Sequence, residues 1–263
     1  MQGVRSSLRP PMASGVFQGP TSERGEPLEP FDYESIPAGY YDEAFRRGRG
    51  VQSKWHHLKF ERVARELDGY TRVLDVGCGP GTLAGNFASG HDWVGSDLST
   101  RQIDYARQNY GATGARFYRA TPATIPEHEG PFDAVTMVEL IEHLSPAAVD
   151  ETFAEALGRL RPGGKLVVTT PNFRSAWPAL EAAVNRLGEV SYSFQHVNRF
   201  DPQRLAALLE RHGLVEPRAE PFLFAAPLAA AVRWRAADRL ARLERRVERR
   251  LGMLLLGSGH KSI

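Results

Sequence analysis

The chain has 263 residues, of which 42% are hydrophobic and 24% charged, and its formal net charge is +2. This length suits one large α/β domain with a well-buried core. The small net charge gives no argument for a nucleic-acid partner, and a single cysteine excludes an internal disulfide and a thiolate metal cluster. The sequence shows no secretory signal and no run of eighteen apolar residues, which predicts a cytoplasmic protein.

Residues 1–30 differ in composition from the rest of the chain. They hold five prolines, several glycines and serines, and few large apolar side chains. Arg5 and Arg9 occur without an acidic residue in the first twenty positions, as in organelle transit peptides, but amphipathic periodicity is lacking. We therefore expect a disordered tail over 1–30 and a folded domain over 31–263.

The remainder alternates strand-like and helix-like segments, which predicts a parallel sheet with helices on both faces. Two helices begin with Ser145-Pro146 and Asp201-Pro202, in which an N-cap residue precedes proline at the first helical position. The sequence Arg161-Pro162-Gly163-Gly164 is expected to end the earlier of these helices and to turn into the fifth strand. Strands are predicted at 72–77, 92–97, 115–120, 132–138 and 165–170, and helices near 82–89, 99–110, 146–160 and 201–212.

A glycine-rich turn, with Gly77, Gly79 and Gly81, follows the first predicted strand. Glycines let the backbone turn sharply and approach a ligand closely. Asp97 ends the next strand 20 residues after Gly77, at the distance expected for a carboxylate that binds ribose hydroxyls. Thr82 stands where a dinucleotide-binding turn has its third glycine, which disfavours a nicotinamide cofactor.

The run Leu74-Asp75-Val76-Gly77-Cys78-Gly79-Pro80-Gly81 resembles motif I of the class I S-adenosylmethionine (SAM)-dependent methyltransferases. The resemblance extends from about Tyr40 to the C-terminus. It implies SAM as cofactor and a Rossmann-like seven-stranded sheet of order 3-2-1-4-5-7-6, with an antiparallel last strand and further strands near 214–223 and 253–261. The residues expected to contact SAM are Asp75, Gly77, Cys78, Gly79, Gly81, Asp97, Leu98, Thr121 and Glu139.

Three of these assignments carry specific expectations. Leu98 is expected to pack on the adenine face, and Cys78 to fill a small space beside the cofactor rather than to act as a nucleophile. Thr121 stands where the resembling family commonly carries an acid that contacts the adenine amino group, so a backbone carbonyl would have to make that contact here.

The segment Glu139-Leu140-Ile141-Glu142-His143 follows the fourth predicted strand. On a helical turn, Glu139, Glu142 and His143 would share a face and could bind a divalent ion such as Mg²⁺, Mn²⁺ or Zn²⁺. The pattern resembles ubiquinone-biosynthesis O-methyltransferases and small-RNA 3′-terminal 2′-O-methyltransferases, in which a later histidine, here His196, completes the set. We predict metal binding by Glu139, Glu142, His143 and His196 and catalysis by Glu142, His143 and His196. Without a metal, His143 or His196 could act as general base.

Three further segments lie outside the predicted sheet. The first carries Tyr40, Trp55, His56 and His57, which either line the pocket or pack in the core. The second, 173–198, is long for a connection and is predicted to be a lid. The third, 227–250, is predicted to be a basic amphipathic helix with eight arginines and three acids. It could lie on an anionic membrane, form a homodimer or pack on the core, and nucleic acid is the least favoured partner.

Together these patterns predict a SAM-dependent methyltransferase that acts on an oxygen of a small hydroxylated, lipophilic acceptor. Alternatives are an RNA 2′-O-methyltransferase and a noncatalytic SAM-binding protein at a membrane. Nitrogen and carbon acceptors also stay open.

Overall fold

The computed structural model describes residues 36–87, 89–187 and 196–263. The predicted tail over 1–30 and residues 188–195 of the predicted lid lie outside these ranges. The strands are β1 (Arg72–Val76), β2 (Asp92–Asp97), β3 (Arg116–Arg119), β4 (Phe132–Val138), β5 (Leu160–Pro171), β6 (Leu214–Phe222) and β7 (Leu254–Lys261). The helices are α1 (Tyr40–Arg46), α2 (Gly50–Glu66), α3 (Thr82–Asn86), α4 (Thr100–Tyr110), α5 (Pro146–Arg159), α6 (Trp177–Leu187), α7 (Pro202–Arg211), α8 (Ala226–Ala229), α9 (Trp234–Leu243) and α10 (Arg245–Leu251).

The seven strands form one sheet of order β3-β2-β1-β4-β5-β7-β6, which confirms the predicted topology. Neighbours from β3 to β5 are parallel, and β7 is antiparallel to both β5 and β6. Val76 is in register with Ser96 of β2 and with Met137 of β4. The residues that follow β1, β2 and β4 therefore lie at the same edge of the sheet, where ligands bind in open α/β folds.

Successive residues of the central strands pack on opposite faces of the sheet. Val73 belongs to a core cluster with Phe60 of α2, whereas its neighbour Leu74 belongs to a second cluster with Phe153 of α5. Both faces are thus covered by helices, which explains why β1 and β4 are buried along most of their length.

The predicted helix caps are present. Ser145 Oγ accepts a hydrogen bond from the backbone N–H of Ala148 at 3.2 Å, and Asp201 Oδ1 accepts one from Arg204 at 2.9 Å. The predicted strand at 165–170 is longer than expected, because Leu160 already pairs with Phe132.

The prediction of a single helix over 227–250 is wrong, since this segment contains all of α9 and most of α8 and α10. Arg233 is extended (φ −152°, ψ 125°) and separates α8 from α9. Glu244, between α9 and α10, is buried, and its carboxylate accepts the backbone N–H groups of Phe224, Ala225 and Ala226. These amides lie just before α8 and at its start, where a helix leaves N–H groups without internal partners. None of the described helices combines the length and apolar character needed to cross a lipid bilayer.

The segment from α8 to α10 lies at the same edge of the sheet as the residues that follow the parallel strands. Both β5 and β6 are antiparallel to β7, so β6 runs in the same direction as β5 and ends at the same edge. Asn172, directly after β5, donates its side-chain N–H to the carbonyl of Gly252 at 2.8 Å and so ties the end of α10 to this edge.

Candidate active site

The glycine turn after β1 is held against β2 by backbone hydrogen bonds. The N–H groups of Gly77 and Cys78 both donate to the carbonyl of Ser96, at 2.8 and 3.0 Å. Gly77, Gly79 and Gly81 have φ values of 71°, 50° and 76°, which side chains rarely adopt. The sequence therefore requires glycine here for the backbone conformation itself.

The space around the three glycines differs. A Cβ at Gly77 would lie 2.9 Å from the Leu140 side chain, and one at Gly81 would lie 2.8 Å from Phe117. A Cβ at Gly79 would meet no atom within 4 Å. Gly79 thus faces open space, while the other two allow close packing within the protein.

Asp97 lies at the end of β2 beside this open space. Its Oδ2 accepts the N–H of Gly79 at 2.9 Å, and its Oδ1 accepts the N–H of Ser99 at 2.8 Å. The next residue, Leu98, is 66% exposed, which is high for a leucine. A carboxylate and an exposed apolar side chain thus stand at the place where the sequence predicted the ribose and adenine of SAM.

Three other residues predicted to contact SAM occupy different environments. Asp75 is buried in the sheet, where Thr136 Oγ1 donates to its Oδ1 at 2.7 Å, and burial raises the pKa of Asp75 to about 7. Burial also raises the pKa of the Cys78 thiol, which keeps the thiol protonated and unreactive. Thr121 caps a short 3₁₀ turn, and its backbone carbonyl accepts the N–H of Thr124 at 3.1 Å.

Glu139 does not begin a helical turn, so that prediction is wrong. Its φ of 51° is left-handed, which breaks the helical spacing to Glu142 and His143. Its carboxylate instead forms an ion pair with Lys59 of α2, and the side chains of Lys59 and Glu139 are 4% and 23% exposed. The structure thereby places Glu139 outside the group formed by the other predicted metal ligands.

Glu142, His143 and His196 do come together, and we call them the acid–histidine cluster. Their ligand atoms all lie within 4.8 Å of one another. Glu142 is 1% exposed and accepts a hydrogen bond from Thr170 Oγ1 at 2.9 Å. The rings of His143 and His196 are 5.0 Å apart between centroids. One carboxylate and two imidazoles form a donor set that suits a divalent transition metal.

The charge state of Glu142 depends on its surroundings. Burial, reinforced by the negative charge of Glu139, raises the pKa of Glu142 to about 8, and Lys59 acts in the opposite direction. A cation bound by the acid–histidine cluster would favour the ionised carboxylate. The donor set therefore fits a divalent cation.

The sequence analysis missed two residues that position His196. Glu181 of α6 has its Oε1 2.6 Å from His196 Nδ1, which leaves Nε2 of that ring to face another group. Asn198 donates its backbone N–H to the Glu142 carbonyl at 3.0 Å and its side-chain N–H to the Leu144 carbonyl at 2.5 Å. These bonds hold the segment from 196 to 198 against the loop after β4. The sequence did offer one indication of Glu181, since it is an acidic residue within the predicted lid, upstream of His196.

Aromatic side chains surround His196 and form what we call the aromatic wall, Trp55, Phe173 and Trp177. The Phe173 and Trp177 rings lie 6.0 and 6.2 Å from the His196 ring, and Trp55 lies 5.6 Å from Trp177. The buried Nε1–H of Trp177 has no acceptor in the part of the chain that the structure describes. A ligand in contact with this wall would find apolar aromatic surface beside His196.

The other N-terminal residues considered for the pocket pack elsewhere. His56 is buried beside Tyr41 and Phe60, and burial holds its pKa well below the ordinary value. His57 stacks on Phe45 with 4.0 Å between centroids. Tyr40 packs edge-on against Tyr41. Of the four residues proposed for the pocket, Trp55 contacts Trp177, whose ring in turn lies beside His196.

Comparisons with known proteins agree with this geometry. A family model described as a methyltransferase domain matches residues 73–164. A protein of Xylella fastidiosa (strain M23) named ubiquinone biosynthesis O-methyltransferase is 31% identical over 196 residues, which cover 69% of this chain and 76% of the relative. A second, from Xylella fastidiosa (strain 9a5c) and of the same name, is 35% identical over 197 residues, with the same shares covered.

Solved structures show the same fold. A SAM-dependent methyltransferase of Thermotoga maritima, described as a possible histamine N-methyltransferase, superposes with a TM-score of 0.61 at 18% identity, covering 84% of this chain and 94% of the other. The magnesium protoporphyrin IX methyltransferase of Synechocystis with bound S-adenosylhomocysteine gives 0.56 at 15% identity, with the same coverage. The glycine turn, the strand order and the similarity over two thirds of the chain lead to one conclusion: the protein belongs to the SAM-dependent methyltransferase family and is a SAM-dependent methyltransferase.

Proposed function

We propose that this methyltransferase acts on a hydroxyl oxygen of a small, lipophilic acceptor that binds between the acid–histidine cluster and the aromatic wall. The observation that carries the proposal is the position of that cluster beside the cofactor turn. Leu140, within the loop that contains Glu142 and His143, packs against Gly77. SAM bound at the glycine turn and a methyl acceptor bound at the acid–histidine cluster would thus lie at the same edge of the sheet.

The donor would be held by residues that follow β1 and β2. Asp97 would accept hydrogen bonds from the ribose hydroxyls, Leu98 would cover the adenine, and the backbone at Gly79 would approach the methionine portion. The open space at Gly79 and the exposure of Leu98 support this arrangement.

In the proposed reaction, the acceptor oxygen attacks the sulfonium methyl in line. A carbon–oxygen bond forms as the carbon–sulfur bond breaks, S-adenosylhomocysteine leaves, and the hydroxyl proton passes to an imidazole. When no cation is bound, His196 suits the role of base because Glu181 holds its Nδ1 and leaves Nε2 for the proton. Placement of the two reactants in an attack geometry can supply roughly 7–11 kcal/mol of the barrier, and a positioned base adds on the order of 10²–10⁴ in rate.

A divalent cation would be held by Glu142, His143 and His196. When bound, it would lower the pKa of the acceptor hydroxyl by direct coordination. Two imidazoles in the donor set favour Mn²⁺ or Zn²⁺ over Mg²⁺. The role of the protein's own residues is then to keep Glu142 ionised and His196 oriented, through Lys59 and Glu181.

The acceptor class draws support from two sources. The aromatic wall offers apolar ring surface beside the acid–histidine cluster, which suits an aromatic ring that carries a hydroxyl group. The Xylella relatives are named for O-methylation in ubiquinone biosynthesis. We therefore favour a hydroxylated aromatic acceptor over a sugar or an RNA 3′ end.

The test is incubation with methyl-labelled SAM and separate panels of catechols, simple phenols, sugars and short RNAs, each with and without a chelator. We expect label in catechols or phenols, and loss of the label on chelation that added Mn²⁺ or Zn²⁺ restores. Label in RNA alone would overturn the acceptor class. Transfer that a chelator leaves unchanged would assign the chemistry to the histidine base.

Glu142→Ala provides the matched variant. It should lose turnover while it still binds SAM, because Glu142 lies in the acid–histidine cluster and not at the glycine turn. Glu151→Ala, an exposed acid on α5, serves as control and should retain turnover. Normal turnover of Glu142→Ala would remove Glu142 from the active site.

A further inference from the structure

The segment 232–251, which contains α9 and α10, carries a cluster of exposed arginines, which we call the basic face. Each of its arginines is exposed, and none forms an ion pair in the described part of the chain. The basic face consists of Arg233, Arg235, Arg239, Arg242, Arg245, Arg246, Arg249 and Arg250, with the exposed apolar residues Val232, Leu243, Val247 and Leu251.

The three acids of this segment are bonded to the rest of the domain. Asp238 pairs with the buried Lys54 of α2 at 2.7 Å. Glu244 is buried and accepts backbone N–H groups before and within α8. Glu248 accepts the N–H of Leu223 at 3.4 Å. The sequence suggested that the acids offset part of the arginine charge. In the structure Glu244 is buried and Asp238 and Glu248 are half-buried, whereas all eight arginines are exposed, so positive charge predominates at the surface of this segment.

Apolar side chains are interspersed with the arginines. Val232 is 93% and Leu243 is 80% exposed, and Val247 and Leu251 lie one helical turn apart on α10. Arg246, Val247, Arg250 and Leu251 line a common depression. Exposed aliphatic groups flanked by arginines are typical of surfaces that enter the boundary between lipid headgroups and acyl chains.

These features discriminate between partners. A second copy that docked through the same face would bring two sets of eight arginines together, which is unfavourable. A nucleic acid would neutralise the arginines but would leave Leu243 and Val232 without an apolar environment. An anionic bilayer satisfies both kinds of side chain.

The basic face also lies at the edge of the sheet that holds the active site. The carbonyl of Gly252, directly after α10, accepts a hydrogen bond from Asn172, two residues after Thr170, which contacts Glu142. On the other side, Trp234 and Asp238 of α9 contact Lys54 of α2, the helix that supplies Lys59 to Glu139. A surface bound here would therefore lie near the acceptor site.

We propose that the basic face docks the enzyme on a bilayer that contains anionic lipid. The arginines bind the headgroups, and Val232, Leu243, Val247 and Leu251 enter the interface. This interaction adds to the proposed O-methylation and does not depend on it.

The experiment is sedimentation of the full chain with vesicles of phosphatidylcholine alone or of phosphatidylcholine with phosphatidylglycerol at 3:1, at about 0.15 M salt. We expect binding to the anionic vesicles alone. Arg246→Gln with Arg250→Gln should weaken that binding by about 30-fold, since each arginine near the surface contributes about fivefold. Leu243→Ser with Val247→Ser should weaken it by about tenfold through lost apolar burial.

Arg211→Gln with Arg218→Gln is the matched control, since it removes the same charge from exposed positions on α7 and β6. It should change vesicle binding less than about twofold, and SAM binding by each variant verifies folding. Equal weakening by this control, absence of binding to anionic vesicles, or a short RNA bound more tightly than the vesicles would each overturn the proposal. Because sedimentation requires no acceptor, these outcomes are separable from a failure of the proposed reaction.

Discussion

The ammonium group of Lys59 on α2 forms an ion pair with the carboxylate of Glu139, at the point where β4 ends. Lys59 is almost fully buried, so its charge is compensated within the protein rather than by water. The pair links the helix that precedes the sheet to the loop that carries Glu142 and His143. The positive charge of Lys59 lowers the pKa of Glu142, whereas burial and the negative charge of Glu139 raise it.

We expect Lys59→Met to lower the free energy of unfolding by about 2–4 kcal/mol, because it leaves the carboxylate of Glu139 without its cation. The double variant Lys59→Met with Glu139→Gln should recover at least about 1 kcal/mol of that loss. Urea denaturation of the four proteins of the cycle measures both. Arg65→Met, from an exposed ion pair with Glu61 on the same helix, should cost less than about 1 kcal/mol. Additive single-variant effects would mean that the pair is not coupled.

Gly79→Ala should abolish most SAM binding with little loss of stability. The added methyl group meets no atom of the protein, so its cost is the left-handed backbone, about 1–2 kcal/mol. Gly114→Ala imposes a similar backbone cost far from the turn, at φ 90° and again in open space. Calorimetric titration should therefore give a lower SAM affinity for Gly79→Ala than for Gly114→Ala, while the two variants have similar thermal stability. Equal SAM affinity in Gly79→Ala and Gly114→Ala would place the cofactor elsewhere.

Asp75 should make stability fall as the pH rises. Its pKa is raised to about 7 in the folded protein, so the unfolded chain loses the proton first, and the contribution present below pH 4 is lost as the pH approaches 7. Between pH 5 and 8, we expect the unfolding free energy of the native protein to fall by on the order of 2 kcal/mol more than that of Asp75→Asn. Denaturant titrations at the two pH values measure the difference. Parallel pH profiles of the two proteins would contradict this assignment.

Glu181→Gln should reduce kcat and leave SAM affinity unchanged. The carboxylate of Glu181 orients His196 through Nδ1, whereas the carboxylate of Asp97 bonds to the backbone of Gly79 and Ser99. Loss of a carboxylate that orients a functional histidine typically costs about 10–100-fold. Steady-state kinetics with a catechol acceptor give kcat and the KM for SAM separately, and Glu151→Gln is the control. A rise in the KM for SAM with kcat unchanged would show that Glu181 acts on cofactor binding.

Glu244→Gln should loosen the start of α8. The buried carboxylate accepts three backbone N–H groups, and the amide can replace only part of this set because its NH₂ group is a donor. We expect a loss of about 1–3 kcal/mol, as for a buried donor left unsatisfied. Hydrogen exchange of the amides of residues 224–226 reports it directly. Glu248→Gln, which affects one longer bond at 3.4 Å, should change exchange much less.

Much of the fold and of the cofactor turn could be predicted from local patterns. The caps Ser145 and Asp201 act within three residues, and the positive φ of Gly77, Gly79 and Gly81 is a property of the turn itself. These features depend on neighbours in the chain, so the residues alone carry the information.

The positions of Glu139 and of the basic segment could not be predicted in the same way. Spacing suggested that Glu139 shares a face with Glu142, but its left-handed backbone and its pairing with Lys59 separate them. Spacing also suggested one long helix over 227–250, but the structure has three helices there, and Glu244 between α9 and α10 is buried. Both outcomes depend on contacts between residues far apart in the chain.

The sequence by itself determined the succession of strands and helices along the chain, the glycine turn, and the residue types available for catalysis, because periodicity and backbone conformation are local. The order of the strands within the sheet was expected from the resemblance to the class I methyltransferases. Only the tertiary structure decided which charges meet. It brought Glu181 to His196, joined Lys59 to Glu139, and bonded the three acids of the segment from α9 to α10 to other parts of the domain while the arginines stayed exposed. Such pairings follow from packing of distant segments, where burial makes an unpartnered charge costly and so selects its partner.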